Sequence, residues 1–593
     1  ASSNAESNRF KIGAKMELVF TPYFKNKDFF STMRAYYEMN TSKSNSQNIS
    51  VYNLPGDITS PTIDAALKSM GSSNSRSNSQ NWVYNGHFSY KERYIVGFSL
   101  RADGNSKFGP KNKWGYFPGA SLRYNISDEP FMKWSKNFVS VLGLRASWGV
   151  NGKAPNADYL FYNTYNTSAG NYGFGNQTTP IATLDGLKLD DLRWEKTTSY
   201  NLGFNLGLFN DMIEIDFDYY HKDTKDLLMP NIRIPSMTGY STLSNANVGR
   251  MTNDGWEMNI NARDFVKVGK FSISAGFNVA QNENLLKEMD ETVLESINND
   301  WVATVRGGDS YLNRIQIGNA LGSMYGFRYK GVYQYTYDYL QNYQKENNLS
   351  TEEYENWINN EFLASGKTAP IVIGSNGKVQ MKSNGKPMEM VYNYADGAST
   401  YKFQGGDAIY EDINHDGQIN ALDVVYLGNS LPKVQGGFNF TIKYGNFTVK
   451  PRFMYRFGNK VINVARMNLE KMYDTYNQSA TVNYRWRKDG DVTPMPRAMY
   501  NSGYNFQGSD RYVEDGSFVR FQNIQVSYNF PKKMIKSWGL ERLQLYFSMD
   551  NLYCWTKYSG VDPEISTGAF AVAKDNSQTP RAKSFTASIN IGF

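Results

Sequence analysis

The chain has 593 residues and a formal charge of +7, with 43 Tyr, 35 Phe and 50 Gly but one Cys and three His. A single cysteine excludes an intrachain disulfide framework. The modest charge holds no basic block suited to nucleic acid, and no run of about 18 apolar residues offers a helical membrane span.

Period-2 alternation of apolar and polar residues predicts strands at 14–21, 29–39, 82–90, 93–100, 115–125, 141–150, 197–209, 212–221, 255–263, 270–280, 434–444, 446–457, 517–530, 542–554 and 583–593. In the eighth, Ile213, Ile215, Phe217 and Tyr219 face one way and Glu214, Asp216, Asp218 and Tyr220 the other. In the last, Phe585, Ala587, Ile589, Ile591 and Phe593 alternate with Ser584, Thr586, Ser588, Asn590 and Gly592. Charged and amide groups on every second residue do not suit a soluble sandwich core. They suit a wall with hydrocarbon on one side and water on the other. The fold class expected is therefore all-β: a large antiparallel transmembrane β-barrel of outer-membrane type, a multi-pass protein in contact with outer-membrane lipid.

The connectors alternate between short (22–28, 91–92, 126–140, 210–211, 264–269, 445–446, 531–541) and long (40–81, 101–114, 151–196, 222–254, 281–433, 458–516, 555–582). Bacterial barrels have short periplasmic turns and long extracellular loops, so the alternation implies sidedness. Residues 323–333 then read as an element inside the large 281–433 extracellular excursion, and 338–363 as partly helical. An odd number of antiparallel strands does not close a barrel. The chain is accordingly expected to be the carboxy-terminal part of a larger one. Residues 1–13 would begin in an extracellular loop, through a nick or a split polypeptide, and 14–593 would form the partial barrel.

One local motif carries metal chemistry. Residues 412–423 follow the calcium-loop spacing: Asp412, Asn414, Asp416 and Asp423 as oxygen ligands, the Gln418 carbonyl, Asn420 acting through water, and Gly417 at the sharp turn. Ca²⁺ or Mg²⁺ is the cofactor this predicts, ordering an extracellular loop; Asp rather than Glu at the twelfth position shortens the last ligand's reach. Loop aromatics Trp82, Tyr172, Phe174, Trp301, Tyr311, Tyr335, Tyr401 and Trp486 could stack on sugar rings or simply pack, and none is singled out as a ligand residue. His87, His221 and His415 have no metal-ligand spacing, and no acid pair stands out. No enzymatic activity and no redox cofactor are expected, and Cys554 reads as inert.

Several blocks together resemble the SusC/RagA family of TonB-dependent outer-membrane transporters. They are 100–109 (Leu-Arg-Ala-Asp-Gly-Asn-Ser-Lys-Phe-Gly), 114–118 (Trp-Gly-Tyr-Phe-Pro), 144–152, 194–197, 253–257, 515–520 and 557–564, in family order. The resemblance implies a barrel of about 22 strands with a plugged lumen. It also implies a plug, a TonB-contacting segment and about seven first strands that this chain lacks, and a SusD-like surface lipoprotein as partner. The activity implied is TonB-driven import of a nutrient oligomer, a glycan or oligosaccharide first and an oligopeptide second. A passive porin and a surface-binding adhesin are the readings from other classes.

Overall fold

Every predicted wall strand is present in the computed structural model, which describes residues 2–52, 66–174, 177–184, 186–234, 236–240, 242–298, 311, 315–393, 400–565 and 572–593. They are β1 (Ser2–Phe20), β2 (Phe29–Tyr52), β3 (Ala66–Tyr90), β4 (Tyr94–Asn105), β5 (Trp114–Asn125), β6 (Val139–Lys153), β7 (Glu195–Leu208), β8 (Ile213–Lys225), β9 (Arg250–Val268), β10 (Phe271–Glu288), β11 (Val434–Tyr444), β12 (Phe447–Phe457), β13 (Phe518–Asn529), β14 (Arg542–Thr556) and β15 (Ser584–Gly592). They form one 15-stranded sheet ordered as in the sequence. Sequential antiparallel neighbours satisfy each other's backbone groups, which a wall in hydrocarbon requires. Among the described residues no helix is long and apolar enough to cross a membrane.

The chain divides into two units, Ala1–Arg263 with Asn284–Val293 and Asp264–Glu283 with Leu294–Phe593. In the first, the apolar face of β3 and β4 runs from Tyr90 and Tyr94 to Trp82 and Ala102. Rings mark its two ends. Tyr94 stacks on Tyr124 at 5.0 Å near the short turns, and Tyr37 packs on Trp82 at 4.5 Å toward the long connections. The opposite face is polar and internally paired: Arg145 Nη2 reaches Asp218 Oδ2 at 2.9 Å, and Glu17 bonds both Lys15 and Arg34 at 2.9 Å.

In the second unit, Ile589 lies opposite Leu545 and Ile591 opposite Leu543, so the final strand adds a continuous apolar row. Phe438, Phe453 and Phe521 stack across three strands at 4.6 and 4.5 Å. The turn joining β11 to β12 is Gly445-Asn446, with Gly445 at φ 56°, the left-handed geometry a two-residue hairpin needs.

The strand ends correct the sequence reading most at the start of the chain, and β10 also runs on to Glu288, inside the expected 281–433 connector. Residues 2–13, expected as loop, belong to β1, and most of the expected 40–81 connector is strand: β2 runs on to Tyr52 and β3 starts at Ala66. Among the added rungs are Ser44 opposite Ser75, Asn45 opposite Asn74 and Ser46 opposite Ser73. Small polar side chains on both faces erase the period-2 signal, yet the backbone ladder continues without it.

Candidate functional site

The long connections of the second unit are a folded body, not independent loops. Within residues 289–433, Ser323–Gly326 pairs with Val425–Asn429, and Tyr329–Val332 pairs with Ala408–Tyr410, so 323–333 is an element of this excursion as expected. The expected helical stretch resolves into Tyr337–Glu346, Thr351–Trp357 and a wide turn at Ile358–Leu363. Ser350 and Glu353 cap the second helix reciprocally: the Ser350 N–H donates to Glu353 Oε2 at 2.9 Å, and the Glu353 N–H donates to Ser350 Oγ at 3.3 Å. Leu340, Tyr354, Ile358 and Phe362 bury the helices' apolar stripe against Ile371 and Val379.

Three connections share one core. Tyr311 and Met324 from the first pack with Ile462, Met467 and Tyr512 from the second and with Tyr558 and Ala573 from the third. Polar groups tie the same segments. Asp407, with no exposed surface, accepts from Arg497 Nε and Tyr401 Oη at 2.6 Å each and from the Gln404 N–H at 2.8 Å. Within the second connection, Glu470 accepts from Arg466 Nε at 2.9 Å and Arg511 Nη2 at 3.1 Å. Glu514 accepts from Arg466, the Ser559 hydroxyl and the Ser559 N–H. Burial alone would raise the Glu514 carboxyl, but those bonds outweigh it and hold it below the usual carboxylate range. Breaking such a buried pair costs about 3–5 kcal/mol, so this head is held to a defined shape.

The aromatic candidates divide accordingly. Tyr311 is buried and donates to the Ser509 carbonyl at 2.6 Å; Tyr401 stacks on Tyr504 at 3.8 Å; Trp486 donates to the Gln334 carbonyl at 3.0 Å; Tyr335 packs edge-on to Phe362. These four are structural. Trp82 sits on the wall and is 57% exposed. Trp301 and the side chains of Tyr172 and Phe174 lie outside the described residues. Among the described residues, the most exposed large side chains of the head are instead Tyr476, Tyr484, Val492 and Tyr500, at 76–81% exposure, all from the second long connection, with Val561 of the third and Leu422 of the first next. Sequence reasoning passed over the first four because the second connection has no periodicity to separate outward from inward aromatics.

The 412–423 segment folds as a tight acidic loop. Asp412 accepts from the N–H groups of Asp416 at 3.2 Å and Gly417 at 2.8 Å; Asp416 accepts from the Gln418 N–H at 2.7 Å; Asn414 donates to Asp416 at 2.9 Å. Asp423 is fully buried and accepts from the N–H groups of Ile413 and Asn420 at 2.8 and 2.9 Å. Burial, reinforced by the charges of Asp412 and Asp416, pushes its carboxyl above the usual range. Gly417 takes the positive φ, 81°, of the sharp turn. The donors are all oxygen, which fits a hard cation. Here the carboxylates are turned to backbone N–H groups, and no set of three His, Cys, Asp or Glu side chains converges in metal-holding geometry among the described residues.

Residues 5–357 match the profile of the TonB dependent receptor-like, beta-barrel family. The chain belongs to that family. It is similar to TonB-dependent receptor P39 of Formosa agariphila, 31% identical over 85% of this chain and 45% of that protein. It is also similar to TonB-dependent receptor SusC of Bacteroides thetaiotaomicron, 25% identical over 86% of this chain and 43% of that protein. The chain thus spans less than half the length of these curated relatives. Among solved structures, the RagAB peptide transporter superposes over 100% of this chain and 56% of its own with a TM-score of 0.74 at 18% identity, a shared fold. With these relatives, the alternating wall is that of an outer-membrane barrel of SusC/RagA type.

Proposed function

We propose that this chain supplies most of the wall and the outer head of an active importer of oligomeric nutrients. The head carries the proposal: three long connections share one core, a rigid platform at the end where bacterial barrels meet the outside. The plug, the TonB-contacting segment and the first strands would come from the part of the relatives this chain does not span. Ligand is held against the head beneath a SusD-like surface lipoprotein, with Tyr476, Tyr484 and Tyr500 offering ring faces to it. Pulling through TonB then remodels the plug and releases ligand inward. The 412–423 loop, next to Val391–Tyr392 with which Gln418–Ile419 pairs, would hold Ca²⁺ or Mg²⁺ through Asp412, Asn414, Asp416, Asp423 and the Gln418 carbonyl once its carboxylates turn from the backbone N–H groups they now accept from.

The ligand class proposed is an oligosaccharide, whose C–H faces suit exposed tyrosines flanked by polar groups. An oligopeptide is the second reading, favoured by the likeness to a transporter named for peptides. The test is uptake of labelled oligosaccharide and labelled oligopeptide pools by cells carrying the complete transporter, with and without TonB. Energised uptake of one pool identifies the class. TonB-independent passage of both would support a porin instead.

A further inference from the structure

Beyond import, the outward face of β1–β4 carries a feature that transport does not use. A groove of about 580 Å³ opens on the hydrocarbon side of the wall. Its floor is Ala35 and Ala102, and its sides are Met16, Leu18, Tyr84 and Leu100. Register places these on the face shared by the Tyr37–Trp82 ring pair, since Leu18 opposes Ala35 and Tyr84 opposes Leu100.

Six residues further along the same strands, on the same face, Lys43 lies directly opposite Arg76. Like charges in that position repel. Both side chains are exposed, and neither has a carboxylate partner among the described residues. The outward carboxylate on these strands, Glu6, accepts from Asn8 at 2.9 Å and sits four residues beyond the pair, while Asp158 on the neighbouring connection is taken by Lys107 at 3.7 Å. Two cations side by side without an acid call for an anion from outside the chain.

Spacing decides which anion. Six residues of strand cover about 20 Å. A tilt of roughly 40° turns this into some 15 Å of height above the Tyr37–Trp82 row. The interfacial zone of a bilayer is only about 5–8 Å deep on each side, so a simple phospholipid phosphate stays well below the pair. A phosphorylated saccharide head group spans the gap. We propose that this face binds a phosphorylated glycolipid of the outer leaflet, an acyl chain lying in the Ala35–Ala102 groove and a head-group phosphate between Lys43 and Arg76.

The experiment is native mass spectrometry of the transporter extracted from its outer membrane, stripped of lipid, and reloaded with purified outer-leaflet glycolipid. Parallel arms use the dephosphorylated glycolipid, phosphatidylglycerol and inorganic phosphate. Retention of the phosphorylated glycolipid is expected to fall about tenfold in the K43Q/R76Q variant. It is expected to fall similarly when A35F fills the groove, with the melting temperature of the barrel unchanged in both. Equal retention by K43Q/R76Q, equal binding of phosphatidylglycerol or of the dephosphorylated lipid, or capture of inorganic phosphate alone would each overturn the assignment. Displacement of the glycolipid by a second copy of the transporter would do so as well.

Discussion

Arg497 donates through Nε to Asp407 at 2.6 Å, closing a contact between connections 90 residues apart in sequence. Asp407 is fully buried and its other oxygen is held by Tyr401, so the pair acts as a latch on the head. Replacing Arg497 by Ala leaves an uncompensated buried carboxylate, a cost of about 3–5 kcal/mol. Hydrogen exchange should accelerate in residues 401–410 and 495–507, while the wall strands keep their protection. Unchanged exchange in both segments would show the latch to be idle.

A second prediction concerns acidity. Glu514 has a depressed folded-state value, so its contribution to stability is present above about pH 4.5 and lost as pH falls through the lower folded value. Acidification into that range should loosen the contact between the connections at 458–516 and 557–583, read by proteolysis near Ser559. Glu514→Gln should remove that pH dependence while leaving a weaker, pH-independent contact.

Cation removal is the third. Chelation at neutral pH should make residues 405–433 more protease-sensitive, and Asp412→Asn with Asp416→Asn should reproduce the effect. Added Ca²⁺ should protect the native loop and not the variant. Because burial and its acidic neighbours raise Asp423, protection should weaken as pH falls toward its raised value. Equal resistance with and without chelator would remove the metal from the account.

The exposed tyrosines make a fourth. Replacing Tyr476, Tyr484 and Tyr500 together by Ala removes ring surface without touching the shared core. Ligand or lipoprotein capture should fall by about tenfold or more, since each lost ring contact is worth about 0.5–1.5 kcal/mol. Calorimetric titration of the assembled transporter measures it.

The wall offers a fifth. Ile589, in the middle of β15 and opposite Leu545, faces hydrocarbon; Arg there should destabilise the barrel by about 2–4 kcal/mol in urea-dependent folding into liposomes. The same change at Ser588, on the polar face, should cost far less. Equal costs would mean the two faces had been assigned the wrong way round.

These tests follow how the chain reveals itself. The wall strands were readable because Ile213 to Tyr219 and Phe585 to Phe593 repeat a two-residue pattern that only a two-sided sheet imposes. The extension of β2 and β3 was not, because Ser44, Asn45 and Ser46 put small polar side chains on both faces and carry no pattern to read. In the head, the acidic loop was visible from its spacing. The packing of Tyr311, Tyr401 and Trp486 was not, because it depends on partners such as Ser509, Asp407 and Gln334, which the fold brings close from distant parts of the chain.

The serine- and asparagine-rich rungs above the ring row leave selection unusually free. Backbone pairing holds the Ser44–Ser75, Asn45–Asn74 and Ser46–Ser73 rungs, which lie beyond the Lys43–Arg76 pair and carry only small polar side chains. Mutations on that palisade can accumulate at almost no cost to folding. What a phage or an antibody meets at the cell's rim can therefore change from strain to strain, while the hydrocarbon-facing staves beneath stay as they are.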